Sequence, residues 1–173
     1  PIRTTTSAGD VTFSASNTTL SADVTSASAT TIAITDATGF PISGKVLIGS
    51  EIVDYTGVTD NTLTGCTRGA SKLVDDVSTS TTAATHSSGA AVTCFTILVT
   101  DSNHGATEND FVTFSGAATL GGNFTASVLN QNYQVVAVET ADTYTITAKS
   151  FSEDTLKFTN VASTSSDSGN GGS

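Results

Sequence analysis

Residues 31–69 consist of short runs in which apolar and polar residues alternate, separated by glycine, proline, asparagine and aspartate. Alternation with a period of two is typical of strands with one buried face, and the separating residues are those that favour turns. The first run places Ile32 and Ile34 on one face, and the turn DATGFP follows it. The pattern predicts a compact antiparallel sheet.

The next two runs, KVLIG and EIVDYTGV, predict a hairpin around residues 49–50, since a Gly-Ser pair is typical of a two-residue turn. In the second strand we expect Ile52 and the ring of Tyr55 on opposite faces. We expect Glu51 to face the same way as Val53. The run TLTGCTR then completes a meander.

The longest apolar run, AAVTCFTILVT at residues 90–100, predicts a crossing from one module to a second. A bend near Phe95 would let Val92 pack in the first sheet and Ile97 and Val99 in the second. Strand patterns resume in DFVTFSG, NQNYQVVAVE and YTITA, and a further hairpin element is expected in FSEDTLKFTNV. No stripe of apolar residues at helical spacing is present.

The N-terminal segment, residues 1–16, has only Ile2, Val11 and Phe13 to bury. Such a segment gains little stability alone, so we expect it to be an assembly arm. Two alternatives remain open for it: a strand lent to a neighbouring molecule, or an extension docked on its own chain.

The alternation lapses between residues 69 and 89, which predicts a long surface loop. Long loops frequently carry local function, and the candidate interaction residues in this one are Lys72, Leu73, Asp75 and Asp76. The predicted fold is therefore all-β.

The predicted fold has two tandem small antiparallel modules, barrel-like or sandwich-like, with little or no helix. The first module covers residues 17–94 and the second covers 95–161. The arm at 1–16 precedes them, and a flexible Ser/Gly-rich tail is expected at 162–173.

Composition supports a β fold and excludes one class of partner. Only 13% of the residues are charged, and Ser and Thr supply much of the polar surface, which favours pleated sheet over helix. The net charge of −10 disfavours binding to a phosphate backbone, so no nucleic-acid partner is expected. No apolar run is long enough to span a membrane, and no membrane partner is expected.

Few residues are candidates for chemistry. Cys66 and Cys94 are the only cysteines; two buried thiols and a disulfide are both open, with the thiols favoured. His86 and His104 lack metal-ligand spacing and are expected to brace turns. The motifs of serine hydrolases, P-loop proteins and zinc proteases are absent, so we expect no catalytic, cofactor-binding or metal site, and no enzyme.

Two stretches resemble a known family. The first runs from TTIAITDATGFP through IGSEI and TLTGCTRGA, with HSSGAAV downstream; the second has VTDSNHGATENDFVTFSGAATLGG, then LNQNYQVV and DTYTIT. Together they cover roughly residues 30–147 and are similar to β modules of structural proteins in tailed bacteriophages, notably phages of marine bacteria and cyanobacteria. The family has no catalytic residues to transfer.

The resemblance implies a non-catalytic virion component such as a fibre, collar, adaptor or decoration protein. Its expected partners are further copies of itself and other virion proteins, and its expected location is the virion, assembled in the host cytoplasm and extracellular after release. One alternative is recognition of a host glycan or receptor through residues 69–89, which an exposed aromatic side chain would favour, but the loop has none. Another is a subunit of a non-viral extracellular filament that donates its arm.

Overall fold

The computed structural model describes residues 2–4, 11–74, 77–152, 157–164 and 169–171. They form an all-β fold of small sheets with one short helix, as the sequence predicts, and no described sheet closes into a barrel. The elements are β1 (Ile2–Thr4), β2 (Thr12–Ala15), β3 (Thr18–Thr19), β4 (Thr31–Ala33), β5 (Gly44–Ile48), β6 (Glu51–Tyr55), β7 (Gly57–Thr59), β8 (Thr62–Thr64), β9 (Ser71–Val74), β10 (Val77–Ser80), β11 (Ala91–Cys94), β12 (Thr96–Thr100), β13 (Phe111–Thr113), α1 (Ala126–Leu129), β14 (Asn132–Gln134), β15 (Ala137–Thr140), β16 (Thr143–Thr147), β17 (Lys149–Ser152), β18 (Lys157–Asn160) and β19 (Gly169–Gly171).

Two sheets, ordered β3-β11-β5-β6 and β4-β8-β7, supply the first hydrophobic core. The predicted hairpin is β5–β6, with Gly49 at a φ of 61° in its turn, a conformation that glycine adopts without steric cost. Alternate residues of these strands point inward. The core consists of Leu20, Val24, Ile32, Ile34, Val46, Ile48, Val53, Tyr55, Leu63, Cys66 and Val92.

The second core lies between a five-stranded sheet, β15-β16-β12-β2-β19, and a three-stranded sheet, β1-β13-β14. Its large aromatic side chains are Phe13, Phe114, Phe124, Tyr133 and Tyr144, all buried. The rings of Phe13 and Phe114 meet edge to face, with their centroids 4.9 Å apart, a favourable geometry for aromatic pairs.

The crossing predicted at residues 90–100 is confirmed. β11 and β12 are separated by a bend at Phe95. Val92 packs in the first core, whereas Ile97 and Val99 pack in the second. A single run of apolar residues therefore serves both cores.

The N-terminal segment belongs to the second core. β2 lies between β12 and β19, with Phe13 opposite Val99, and Val11 and Phe13 are buried there. The predicted division of residues 1–16 from the second module is therefore corrected: the first module is inserted between β2 and β12. Ile2 lies on β1, which pairs in parallel with β13, and its side chain is outside the described part of the chain.

The predicted loop and tail both contain strands, which corrects both predictions. Residues 69–89 include the antiparallel hairpin β9–β10, and the tail includes β19, which pairs with β2. The rest of the tail beyond residue 164 lies outside the described residues. Among the described residues, no helix is long and apolar enough to span a membrane.

Candidate functional site: a two-hairpin sheet anchored by Glu51

Two hairpins from distant parts of the chain form one sheet, ordered β10-β9-β18-β17, which we call the two-hairpin sheet. One hairpin comes from the predicted interaction loop. The other, β17–β18, covers most of the hairpin element predicted in FSEDTLKFTNV. Thr159 pairs with Val74 where the hairpins meet. Since β10 and β17 form its edges, the sheet presents side chains and strand edges outside the two main cores.

The structure describes only some of the predicted interaction residues. Lys72 lies on β9 and is half-buried. Leu73 lies on the same strand, with its side chain outside the described part of the chain, and Asp75 and Asp76 are outside it altogether. Lys72 and Leu73 therefore lie in the two-hairpin sheet, and no ion pair between described residues includes Lys72.

A buried carboxylate lies at the base of the hairpin β9–β10. Glu51, at the start of β6, is 1% exposed. Its Oε1 accepts hydrogen bonds from Arg68 Nε at 2.7 Å and from Gly69 N at 3.0 Å. Its Oε2 accepts from another guanidinium nitrogen of Arg68 at 2.7 Å and from Ala84 N at 3.0 Å, and it lies 2.7 Å from His86 Nε2. These residues form the Glu51 cluster.

The partners of Glu51 hold it in the charged form. Burial by itself raises the pKa of a carboxyl group, but the hydrogen bonds from Arg68, His86, Ala84 and Gly69 outweigh it and lower the pKa of Glu51 from 4.5 to about 2. The Arg68 guanidinium makes a bidentate contact with the carboxylate, the strongest geometry for such a pair.

The Glu51 cluster ties together the two ends of the segment that carries β9 and β10. Arg68 and Gly69 precede β9, and Ala84 and His86 follow β10. Remaining N–H groups of Arg68 donate to the carbonyls of Ser26 and Ala84. Since the charges and donors of this cluster satisfy one another, its chemistry is suited to positioning the hairpin.

The alternation pattern does not predict the Glu51 cluster, although the position of Glu51 in that pattern is one signal for it. Glu51 was expected to face as Val53 does, and Val53 is in the first core. A carboxylate on a core-facing position needs a cationic or N–H partner. The partners, Arg68 and His86, come from the far ends of a loop whose course the alternation does not specify.

His104 braces its turn, as predicted, whereas the ring of His86 contacts the Glu51 carboxylate. His104 is buried; its Nδ1 accepts from Ala106 N at 2.9 Å, so its Nε2 carries the proton and donates to the carbonyl of Thr140 at 3.1 Å. The backbone of His86 pairs with Val24. Among the described residues no group of His, Cys, Asp and Glu could hold a metal ion.

Cys66 and Cys94 are separate buried thiols in the structure, which agrees with the favoured of the two alternatives. Cys66 packs in the first core and Cys94 in the second. Burial raises the pKa of Cys66 to about 11, against an opposing effect of Arg68. A buried thiol with a raised pKa reacts slowly, so neither the structure nor the chemistry indicates a nucleophile at Cys66.

A row of aromatic and basic side chains lies on the second hairpin. The rings of Phe151 and Phe158 are 5.0 Å apart. Lys149 Nζ lies 4.7 Å from the centre of the Phe158 ring and 5.2 Å from that of Tyr133, which are cation–π distances. Phe151 is 45% exposed. The two-hairpin sheet therefore has an exposed aromatic side chain, although the loop predicted to carry function has none.

No family model, curated protein or solved structure matches this chain. Its function is therefore inferred from its own residues and contacts.

Proposed function

We propose that this chain is a non-catalytic virion structural protein of a tailed phage, of the fibre, collar, adaptor or decoration type, which acts through self-assembly and display. The motifs that resemble phage β modules motivate the proposal. The observation that carries it is the two-hairpin sheet held at its base by the Glu51 cluster, because a braced element outside the cores is what a display protein requires.

The distribution of polar groups supports a structural role. Glu51, the most deeply buried charged residue among those described, binds Arg68 and the backbone at both ends of the segment that carries β9 and β10. A catalytic carboxylate needs an oxygen that can reach a substrate. Both oxygens of Glu51 are occupied by protein donors, so this cluster supports the fold of the display element.

The exposed edge of the two-hairpin sheet supports self-assembly. All four residues of β10 are exposed, and Val77 is 61% exposed. An edge strand offers N–H and C=O groups to a strand of another molecule, and an apolar side chain on it favours such pairing. The partners in this proposal are further copies of the chain and other virion proteins. The chain is assembled in the host cytoplasm and is extracellular once particles are released.

The oligomeric state tests the self-assembly part of this proposal. We expect the purified chain to form a homo-oligomer in size-exclusion chromatography with light scattering, and Val77→Lys to weaken it, since lysine on an edge strand opposes edge pairing. Ile42→Lys is the matched control, because Ile42 is similarly exposed at 58% but lies outside the sheet. A monomeric wild-type chain, or equal effects of the two variants, would contradict self-assembly through β10.

Particle association tests the virion part. Tailed-phage particles whose genome encodes this chain are collected from an infected culture and banded on a density gradient. The fractions are analysed by peptide mass spectrometry. We expect its peptides to follow the particle band at constant stoichiometry. Peptides found only in the particle-free fractions would overturn the proposal.

A further inference from the structure

A cleft of about 480 Å³ lies between α1 and the hairpin β17–β18. Its lining residues are Ser127, Gln131, Ser150, Phe151 and Phe158, and we call it the Phe151 cleft. Sites for small ligands typically have volumes of roughly 300–1,000 Å³ and combine aromatic walls with a few fixed polar groups. The Phe151 cleft has both features.

The aromatic wall is a pair of phenylalanines that are opposite one another in the register of β17 and β18. Their rings are tilted by 52°. Phe151 is 45% exposed, whereas Phe13 and Phe124 in the second core are fully buried. An exposed ring at a concave surface offers its apolar, electron-rich face to C–H groups of a ligand.

The polar group best fixed in the cleft is the amide of Gln131. Its Nε2 donates to the carbonyl of Val128 at 2.6 Å, to Tyr133 Oη at 3.1 Å and to the carbonyl of Lys149 at 2.7 Å. These contacts set the orientation of the amide. Within the described part of the chain, no hydrogen-bond donor contacts Oε1. Gln131 therefore presents a pre-oriented acceptor, with the hydroxyls of Ser127 and Ser150 beside it in the lining.

None of the described residues that line the cleft is charged. The nearby Lys149 places its Nζ over the rings of Phe158 and Tyr133. The net charge of the chain, −10, opposes the approach of an anion. These features favour an uncharged ligand that has apolar C–H faces and also hydroxyl donors.

We propose that the Phe151 cleft binds an uncharged saccharide. The C–H face of a pyranose ring packs on Phe151, and sugar hydroxyls donate to Gln131 Oε1 and exchange hydrogen bonds with Ser127 and Ser150. A purely apolar ligand would leave Gln131 Oε1 without a donor, and an anion would meet no cation among the described lining residues. The site thus differs from the loop in which sequence reasoning placed glycan recognition, although both belong to the two-hairpin sheet.

Saturation-transfer NMR on the full chain tests the site. The probes are the methyl glycosides of glucose, galactose, mannose, N-acetylglucosamine and rhamnose, each at about 10 mM, which suits millimolar dissociation constants. The methyl glycoside of galacturonic acid, with its carboxylate free, is the charged comparison. We expect at least one uncharged glycoside to receive saturation at its ring C–H protons. Phe151→Ala should weaken its binding by about tenfold or more, and Phe151→Tyr should retain binding.

Phe111→Ala is the matched control, because Phe111 is 41% exposed and lies on β13, outside the cleft. It should bind like the wild type. The proposal is overturned if no uncharged glycoside binds the wild type, if Phe151→Ala binds as well as Phe111→Ala, or if galacturonate alone binds. The proposal is also overturned if the wild type is a dimer that the sugars do not dissociate and Phe151→Ala is a monomer. A second copy of the chain would then occupy the cleft in place of a sugar. These outcomes are independent of particle association and of Val77→Lys, so either proposal can fail alone.

Discussion

Glu51 accepts hydrogen bonds from residues that precede and follow the hairpin β9–β10, and its side chain is almost inaccessible to solvent. Removing one member of a buried ion pair is costly, because the other charge stays buried without compensation. At the residue scale, the stability of the hairpin β9–β10 therefore depends on this single carboxylate more than on any exposed charge.

The first prediction concerns Glu51→Gln. The amide retains the shape of the side chain but leaves Arg68 without its counter-charge and presents an NH₂ group to donors. We expect a loss of about 3–5 kcal/mol in the free energy of unfolding, measured by urea denaturation at pH 7. Glu108→Gln is the control: Glu108 is exposed, and a change within about 0.5 kcal/mol is expected.

Comparison of the wild type with Glu51→Gln also gives a prediction of pH dependence. The pKa of Glu51 is lower in the folded chain, about 2, than its ordinary value of 4.5. Its contribution is therefore present above the unfolded pKa and is lost as the pH falls from about 5 towards 2. Asp36 and Asp110 also have lowered pKa values and remain in both proteins. Between about pH 5 and 2, the free energy of unfolding should fall more steeply for the wild type than for Glu51→Gln. An equal fall in the two proteins would contradict the lowered pKa of Glu51.

At the scale of elements, β2 shows how a weak local pattern acquires a central role. Its segment has few apolar residues, and the sequence left open whether it docks on its own chain or on a neighbour. In the structure β2 is an interior strand, hydrogen-bonded on one side to β12 and on the other to β19. Phe13 is fully buried against Phe114.

The second prediction compares two phenylalanines. Phe13→Ala removes a buried ring and leaves a cavity in the second core, so it should lower the free energy of unfolding by about 3–5 kcal/mol. Phe111→Ala removes a ring that is 41% exposed and should cost much less. Urea titrations of both variants measure the difference, and similar losses would show that β2 is not part of the second core.

Truncation separates the two strands of the N-terminal segment. Deleting residues 1–16 removes β2, and we expect the second core to lose its native packing as judged by near-ultraviolet circular dichroism. Deleting residues 1–10 removes β1 and keeps β2, so the signal should persist. A native signal after the longer deletion would contradict the docking of β2.

At the scale of the whole molecule, the two cores are interlocked. The first module is inserted between β2 and β12 of the second, and the two-hairpin sheet contains strands from residues 71–80 and 149–160. The bent run β11–β12 places side chains in both cores. Neither module can unfold without breaking strand pairs or core contacts of the other.

The third prediction is therefore that the two cores unfold together. Cys66 reports on the first core and Cys94 on the second. Pulsed alkylation at increasing urea, without reductant, is followed by peptide mass spectrometry. The two thiols should become reactive at the same midpoint, since a small cooperative domain unfolds in one transition. Two separate midpoints would contradict the interlock, and no labelling at any urea concentration would indicate a disulfide.

Alternation along the chain was enough to predict the all-β class and the β5–β6 hairpin, because the face of a strand on which a side chain lies depends only on its position in a period of two. The division of Val92 from Ile97 at the crossing was predicted from the unbroken apolar run at residues 90–100, which is also a local feature. The same reasoning failed for β9, β10 and β19, whose residues are mostly polar and are ordered by pairing with other strands.

What the sequence by itself determined is thus the kind of element and the inward face of each apolar strand. Only the tertiary structure decided which strands pair, because backbone N–H and C=O groups are alike at every residue and strands from the two ends of the chain, β2 and β19, are neighbours. It also decided the candidate sites: Arg68 and His86 contact Glu51, and Gln131 and Phe151 line one cleft, although no local pattern connects the segments that carry them.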